Sequence, residues 1–177
     1  MQNEHPSKKV KVWFEDESRY GQQGIVPRIW ATRGSSPSLP KQNGYKNAWL
    51  FEAVCPQTGE HLGFVATHTN TDFMNIFLEN LSKSLDSDVH GVLIMDNASW
   101  HKSADLKVPS NLSLKYQPPY CPELNPVERL WKYIKSKHLS HKFYVSLEEI
   151  FEEGCNSFKK LTKENVKTLC KVNYLNF

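Results

Sequence analysis

An α/β domain with a mixed sheet is the fold class that the sequence predicts, and three patterns point to it. A strand with period-two alternation opens the chain at residues 10–14. Turn residues at 56–60 then separate two apolar runs, as in a hairpin. A helical pattern from Thr71 leads to the apolar run 92–95, which lacks alternation and is typical of a strand covered on both faces. This order of elements favours a mixed sheet flanked by helices.

The remaining strands can be placed from local composition. Residues 19–46 are rich in Gly, Pro, Ser and Arg, which predicts an extended excursion with a short strand near residues 28–32. The hairpin strands are predicted at residues 47–54 and 62–67. A further short strand is predicted at residues 112–116, before a Pro-rich break.

The helices are predicted from spacing and caps. Thr71 or Asp72 is the predicted N-cap of the first helix. Near Pro126 a second helix begins, with four apolar residues on one face: Val127, Leu130, Trp131 and Ile134. Ser146 and Thr162 are placed to cap two more helices. We expect the domain that carries the sheet over residues 1–145, with the C-terminal helices at 146–177 packed on it.

Size, composition and charge narrow the class of protein. The chain has 177 residues, of which 39% are hydrophobic, enough for one core. No apolar run approaches the ~18 residues of a membrane span. Four scattered cysteines are typical of reduced thiols and predict no structural zinc. The net charge of +3 conceals basic flanks around the acidic residues 51–100, which indicates either a face that binds a polyanion or an ordinary solvated surface.

Three acidic residues occupy positions where chemistry is expected. Asp16 is predicted to end the first strand, Asp96 ends the apolar strand, and Glu128 lies in the first turn of the helix near Pro126. Because ligands of open α/β sheets collect at the carboxyl ends of strands, these carboxylates are expected to form one oxygen-rich cluster. Such a cluster suits Mg²⁺, and two ions could assist an in-line phosphoryl displacement.

Each of these acids also has an ordinary interpretation. Asp16 lies in an acidic run and could be solvated, and Asp96 could cap the turn that follows it. Glu128 is the third residue of a helix that Asn125 could cap, so it could belong to a capping box. Position alone leaves these alternatives open.

Three segments resemble, in order and wording, the catalytic domain of DDE transposases, in the mariner-related branch found in bacterial insertion sequences. They are Phe-Glu-Asp-Glu-Ser at 14–18, Leu-Ile-Met-Asp-Asn-Ala-Ser-Trp-His-Lys at 93–102, and the Pro-rich segment at 118–131 that ends in Leu-Asn-Pro-Val-Glu-Arg-Leu-Trp. The last segment is the most specific. The resemblance covers roughly residues 9–140.

The resemblance implies a ribonuclease H-like fold with a mixed five-stranded sheet. Asp16, Asp96 and Glu128 would be the catalytic acids and would bind two Mg²⁺ or Mn²⁺ ions. The implied activity is that of a Mg-dependent DNA endonuclease and strand transferase, which cuts DNA at transposon ends and joins the freed 3′-ends to target DNA. The matching residues Asn97, His101 and Asn125 would support the site. His101 could orient a phosphate or a water, or satisfy a local carbonyl.

Seven basic residues are candidate contacts to DNA phosphates. Lys132 and Lys135 are spaced to share a helix face with Glu128. The others come from the excursion, from the second motif and from the same helix: Arg19, Arg28, Arg33, Lys102 and Arg129. Contacts of this kind are independent of DNA sequence and sensitive to salt. Each residue could instead be a solvated surface cation.

The resemblance also implies partners. Complete transposases of this type carry N-terminal helix-turn-helix domains, for which the predicted first strand leaves no room, so we expect that part to be separate from this chain. Double-stranded DNA, a homodimer in the active state, no membrane, and a cytoplasmic, nucleoid-associated location in a bacterium are the other expectations. Two alternatives stay open: another ribonuclease H-like nuclease or integrase, and a remnant that binds DNA without catalysis.

Overall fold

The fold is built on a mixed five-stranded sheet, as the sequence predicts. A computed structural model describes residues 7–23, 30–35, 42–140 and 142–174. The strands lie in the order β3-β2-β1-β4-β5. Neighbours are antiparallel from β3 to β1, whereas β4 and β5 run parallel to β1. Their bounds are Lys9–Gly21 (β1), Asn47–Val54 (β2), His61–Ala66 (β3), Val89–Met95 (β4) and Leu112–Tyr116 (β5).

In the described ranges, four α-helices cover the two faces of the sheet. They are α1 (Thr71–Ser84), α2 (Val127–Ile134), α3 (Leu147–Lys159) and α4 (Lys163–Leu169). A π-helical turn, Lys135–Leu139, continues α2, and 3₁₀ turns lie at Ser99–Lys102 and Pro122–Leu124. Among the described residues, no helix has both the length and the apolar character that crossing a membrane requires.

Two hydrophobic cores lie on opposite faces of the sheet, because successive side chains of a strand alternate in direction. Trp13 belongs to the core under α1, and its neighbour Phe14 belongs to the core under α2, α3 and α4. The same alternation places Glu15 and Glu17 on the α1 side of β1 and Asp16 on the α2 side. Adjacent acids in the sequence therefore enter different environments.

Three sequence expectations are corrected by the structure. β1 does not end at Asp16: pairing with β4 stops at Phe14, but β2 pairs with β1 as far as Gly21. The N-cap of α1 is Asn70, whose side chain accepts a hydrogen bond from the backbone N–H of Phe73. Residues 30–32 contain no strand, and the rest of that predicted strand lies outside the described residues.

The C-terminal helices share the core of α2. Buried Ile150 and Phe158 of α3 and Val166 of α4 belong to the same cluster as Val127 and Leu130. The predicted caps are confirmed, since the Ser146 hydroxyl accepts from Glu149 N–H and the Thr162 hydroxyl accepts from Asn165 N–H. Their apolar residues join both helices to the core that α2 shares with the sheet.

Close packing of α3 gives a first testable prediction. A Cβ added at Gly154 would lie 2.1 Å from Tyr20 Oη, although Gly→Ala inside a helix ordinarily stabilises by up to about 1 kcal/mol. We expect Gly154→Ala to destabilise the fold instead, by about 1–3 kcal/mol, as overpacking does. Urea denaturation measures this, and Cys155→Ala at the next, exposed position is the control. A Gly154→Ala variant as stable as wild type would contradict the packing.

Candidate active site

Asp16, Asp96 and Glu128 line one open cleft of about 440 Å³. The parallel register that pairs Phe14 with Ile94 brings residues 16 and 96 side by side where β4 ends. Glu128 reaches the same cleft from the first turn of α2. The opposite wall is the Pro-rich loop between β5 and α2, which contributes Pro118, Pro119, Tyr120, Cys121 and Pro122.

Asp16 is held by the indole of Trp131. Trp131 Nε1 donates a hydrogen bond to Asp16 Oδ2 over 2.8 Å. Burial, followed by the charges of Glu128 and Glu17, raises the pKa of Asp16 to about 8, although the Trp131 hydrogen bond opposes the shift. The charge of Lys135 also interacts with Asp16, but burial and the neighbouring carboxylates outweigh it.

The pKa of Asp96 is lowered, whereas that of Asp16 is raised. Oδ1 of Asp96 lies 2.8 Å from the backbone N–H of Ala98 and 2.9 Å from His101 Nδ1. The hydrogen bond from His101 is the main cause that lowers the pKa of Asp96, and the Ala98 N–H acts in the same direction. Asp96 is therefore ionised at neutral pH. The turn-capping alternative is also realised, since one oxygen caps the turn while the carboxylate lines the cleft.

Asn125 fixes the start of the helix that carries Glu128. Its amide donates to the backbone carbonyl of Glu15 over 2.8 Å, and its Oδ1 accepts from Val127 N–H. The helix start is thereby tied to the strand residue next to Asp16. No capping-box hydrogen bond from the Glu128 side chain is found among the described residues, and Asn125 N–H donates to Pro122 instead. Glu128 is exposed at the cleft.

The start of α2 is also held by the C-terminal segment. Arg129 donates from Nε and Nη2 to the carbonyls of Leu169 and Lys171, at 2.7 and 2.6 Å. Cys170 Sγ lies 3.6 Å from the Pro126 carbonyl, and the Tyr174 hydroxyl donates to the carbonyl of Leu124, just ahead of the helix. Arg129 therefore joins α2 to the end of α4, so its predicted contact to DNA would compete with these hydrogen bonds.

His101 is buried behind Asp96. Its Nδ1 also lies 3.3 Å from the Asp96 carbonyl, and its Nε2 lies 3.1 Å from Glu17 Oε1. Burial alone would lower the pKa of His101, but hydrogen bonds with Asp96 and Glu17 outweigh it and raise the pKa to about 11. Asn97, the third predicted support residue, donates its amide to the Gln117 carbonyl and so links the chain after β4 to the chain after β5.

The lining of the cleft includes none of the other predicted phosphate contacts that the structure describes. Lys135 is half-buried, which lowers its pKa, while Glu128 and Asp16 act to raise it. Lys132 is exposed, and no ion pair joins it to Glu128 within the described part of the chain. Lys102 lies over the Tyr116 ring at 5.2 Å. Arg19 and Arg33 are exposed, and Arg28 lies outside the described residues.

Three residues that contact the site were not expected from the sequence. The sequence pattern places Trp131 on the apolar stripe of α2. It places Glu15 and Glu17 in an acidic run that is expected to be solvated. Trp131 follows Glu128 by three residues, which places both on the same side of the helix, and this spacing was the available signal. Glu15 is fully buried, and that depends on which strands flank β1.

Comparison with known proteins identifies the family. The family model described as DDE superfamily endonuclease matches residues 11–150. An uncharacterized protein of Sinorhizobium fredii (strain NBRC 101917 / NGR234), y4pE/y4sA, is 37% identical over 122 residues, which are 69% of this chain and 90% of that protein.

Solved structures show the same fold at low identity. The Mos1 strand transfer complex matches with a TM-score of 0.67 at 17% identity, over 90% of this chain and 50% of that chain. The catalytic domain of Mos1 mariner transposase matches with a TM-score of 0.62 at 16% identity, over 90% and 75%. The chain thus spans about half the length of the Mos1 chain in the first complex and has its ribonuclease H-like fold. With the matching family model, these findings establish that the chain belongs to the DDE superfamily of endonucleases.

Proposed function

We propose that this chain is the catalytic domain of a transposase, which cuts DNA at transposon ends and joins the freed 3′-ends to target DNA. One observation carries the proposal: Asp16, Asp96 and Glu128 converge on one open cleft in a member of the DDE superfamily. Each of these carboxylates keeps at least one oxygen without a hydrogen bond to the described residues. DNA of a bacterial nucleoid, in the cytoplasm, is the proposed substrate.

The donor set fits Mg²⁺ or Mn²⁺. Hard divalent cations prefer carboxylate oxygens and share the phosphate oxygens of a substrate. Burial and the charge of Glu128 raise the pKa of Asp16, and a bound cation would oppose both effects. We infer two ions, held by Asp16, Asp96 and Glu128. When bound, they would activate the attacking water or 3′-hydroxyl and stabilise the leaving oxygen.

The side chains around the acids would keep them in place during the reaction. Trp131 fixes one oxygen of Asp16, and His101 with the Ala98 N–H fixes one oxygen of Asp96. Asn125 sets the position of the first turn of α2, and hence of Glu128. Preorganised groups of this kind cost no rearrangement when charge develops in the transition state.

The basic residues would bind the phosphate backbone and leave sequence recognition to another part of the assembly. Lys132 and Lys135 lie one and two turns beyond Glu128, and Lys102 follows His101. Mos1 structures include a paired-end complex with a transposon end, which supports double-stranded DNA as the partner. We also propose an active homodimer, with terminal repeats recognised by a helix-turn-helix part distinct from this catalytic domain.

A nicking assay tests the proposed activity. Supercoiled plasmid incubated with the protein is expected to become open-circular with Mg²⁺ or Mn²⁺ and to stay supercoiled with EDTA. Strand transfer is tested separately, by incubating a duplex with a free 3′-hydroxyl end and a target plasmid. No nicking with either metal, together with retained DNA binding, would favour a DNA-binding remnant and contradict the proposal.

Replacing Lys132 tests the contact to DNA phosphates. Lys132→Ala is expected to lower the slope of log K against log salt by about 0.9, the value for one phosphate contact on duplex DNA. Lys83→Ala is the matched control, because Lys83 is an exposed lysine in the last turn of α1, near the end of the sheet opposite the cleft. Equal slopes for Lys132→Ala and wild type would contradict the contact.

A further inference from the structure

The ring of His101 lies between carboxylates on both sides. On one side, Nδ1 is 2.9 Å from Asp96 Oδ1. On the other, Nε2 is 3.1 Å from Glu17 Oε1 and 3.8 Å from Glu15 Oε2. The imidazole is fully buried, so it exchanges no hydrogen bonds with solvent. A ring with an acceptor at each nitrogen must donate from both to satisfy both.

The two glutamates beside the His101 ring belong to strand β1 of the sheet. Glu17 Oε1 also accepts a hydrogen bond from Trp100 Nε1 over 2.8 Å. Glu15 has no hydrogen-bond partner for either carboxylate oxygen among the described residues, and its side chain is fully buried. Buried carboxylates are costly unless they are paired. Nε2 of the imidazole lies near a carboxylate oxygen of each glutamate, and this contact offsets part of that cost.

The other side of the ring acts on Asp96. Nδ1 and the Ala98 N–H both reach Oδ1 of this carboxylate, so rotation of the group is restricted from two directions. Oδ2 has no hydrogen bond to the described residues, and Asp96 lines the cleft. The Tyr116 hydroxyl donates to the His101 carbonyl over 2.7 Å, which fixes the backbone of the turn as well.

We propose that His101 is a positioning residue. The buried carboxylates of Glu15 and Glu17 hold its ring at Nε2, and its Nδ1 holds Oδ1 of Asp96, which leaves Oδ2 as the metal ligand. The inference rests on the proposed function, because it assigns a purpose to the orientation of Asp96. It goes beyond a general supporting role, since it names the donor atom, the oxygen that is held and the two glutamates behind the ring. Outer-shell partners of this kind typically change metal affinity by 10–100-fold.

Two isosteric variants separate the two sides of the ring. The amide nitrogen of Asn stands close to where Nδ1 stands in His, and that of Gln stands close to Nε2. His101→Asn should keep the donor to Asp96, and we expect its Mn²⁺ affinity to stay within about threefold of wild type. His101→Gln should keep only the donor to Glu17, and we expect its affinity to fall by about 10–100-fold. Trp100→Phe removes the other donor to Glu17 without touching Asp96, so it is the control.

The measurements are Mn²⁺ titration by electron paramagnetic resonance and ¹⁵N NMR of the imidazoles in the metal-free protein. Thermal unfolding of each variant checks that it is folded. The imidazole signals that are absent from both variants are thereby assigned to His101. In the wild-type protein these signals should show a proton on both ring nitrogens at neutral pH. Equal affinity losses in the two folded variants, or a proton on only one nitrogen, would overturn the inference alone. A wild-type chain that bound no Mn²⁺ would overturn the proposed function itself.

Discussion

Asp96→Asn is expected to lower metal-dependent nicking of supercoiled DNA by at least about 10³-fold. A catalytic metal supplies several kcal/mol of transition-state stabilisation, and each 1.4 kcal/mol corresponds to a factor of ten in rate. The amide of Asn retains an oxygen that can accept from Ala98 N–H and His101, so the turn after β4 should keep its structure. What the variant loses is the negative charge that a divalent ion requires.

The matched control for this experiment is Asp105→Asn. Asp105 is an exposed aspartate on the same connection between β4 and β5, and it does not line the cleft. We expect it to nick DNA at the wild-type rate. Initial rates of open-circle formation at saturating Mg²⁺ and Mn²⁺ give the comparison. Nicking by Asp96→Asn at the wild-type rate would show that the cleft is not the active site.

The affinity for Mg²⁺ is expected to rise roughly 50-fold between pH 6 and pH 8. Asp16 has a pKa raised from 3.8 to about 8 by burial and by neighbouring carboxylates, chiefly Glu128. Metal binding requires the ionised form, which is about 1% of the population at pH 6 and about half of it at pH 8. The shift also means that the contribution of Asp16 to the stability of the metal-free fold falls as the pH rises from about 4 to about 8.

Isothermal titration calorimetry at several pH values, with buffers of different ionisation enthalpy, measures both the affinity and the proton released. Trp131→Phe removes a hydrogen bond to the Asp16 carboxylate, worth about 1.5–3 kcal/mol, so its affinity profile should move about one to two pH units higher. Asp16→Asn should bind weakly and show a much smaller dependence on pH. A wild-type affinity that is the same at pH 6 and pH 8 would contradict a protonated Asp16.

Local patterns predicted the elements whose stability is local. The hairpin followed from turn residues, and β4 and the helices followed from apolar spacing and caps. The length of β1 depends on a partner strand whose paired residues come 26 to 38 positions later, because β2 pairs with the part of β1 beyond Phe14. For α1, three potential capping residues stand in a row at Asn70, Thr71 and Asp72, and spacing alone does not choose among them.

The motifs named the three acids of the candidate site, whereas the environments of these acids could not be predicted from the sequence. Glu15, Asp16 and Glu17 form one acidic run in the sequence, yet the strand sends them to opposite faces of the sheet. Burial of Glu15 depends on the turn that holds His101, more than 80 residues later. The motif named His101, but the contact from Nδ1 to Asp96 and from Nε2 to Glu17 exists only once β1 and β4 are side by side.

The contacts between the C-terminal segment and α2 indicate how far the functional domain extends along the chain. The family model stops at residue 150, and all three acids lie before that point. Yet Leu169, Lys171 and Tyr174 bond to the residues on either side of Glu128. A chain cut at residue 150 would keep all three proposed metal ligands and lose the hydrogen bonds that hold the start of α2, where Glu128 lies. We therefore expect the smallest active unit to be longer than the part that the family model matches.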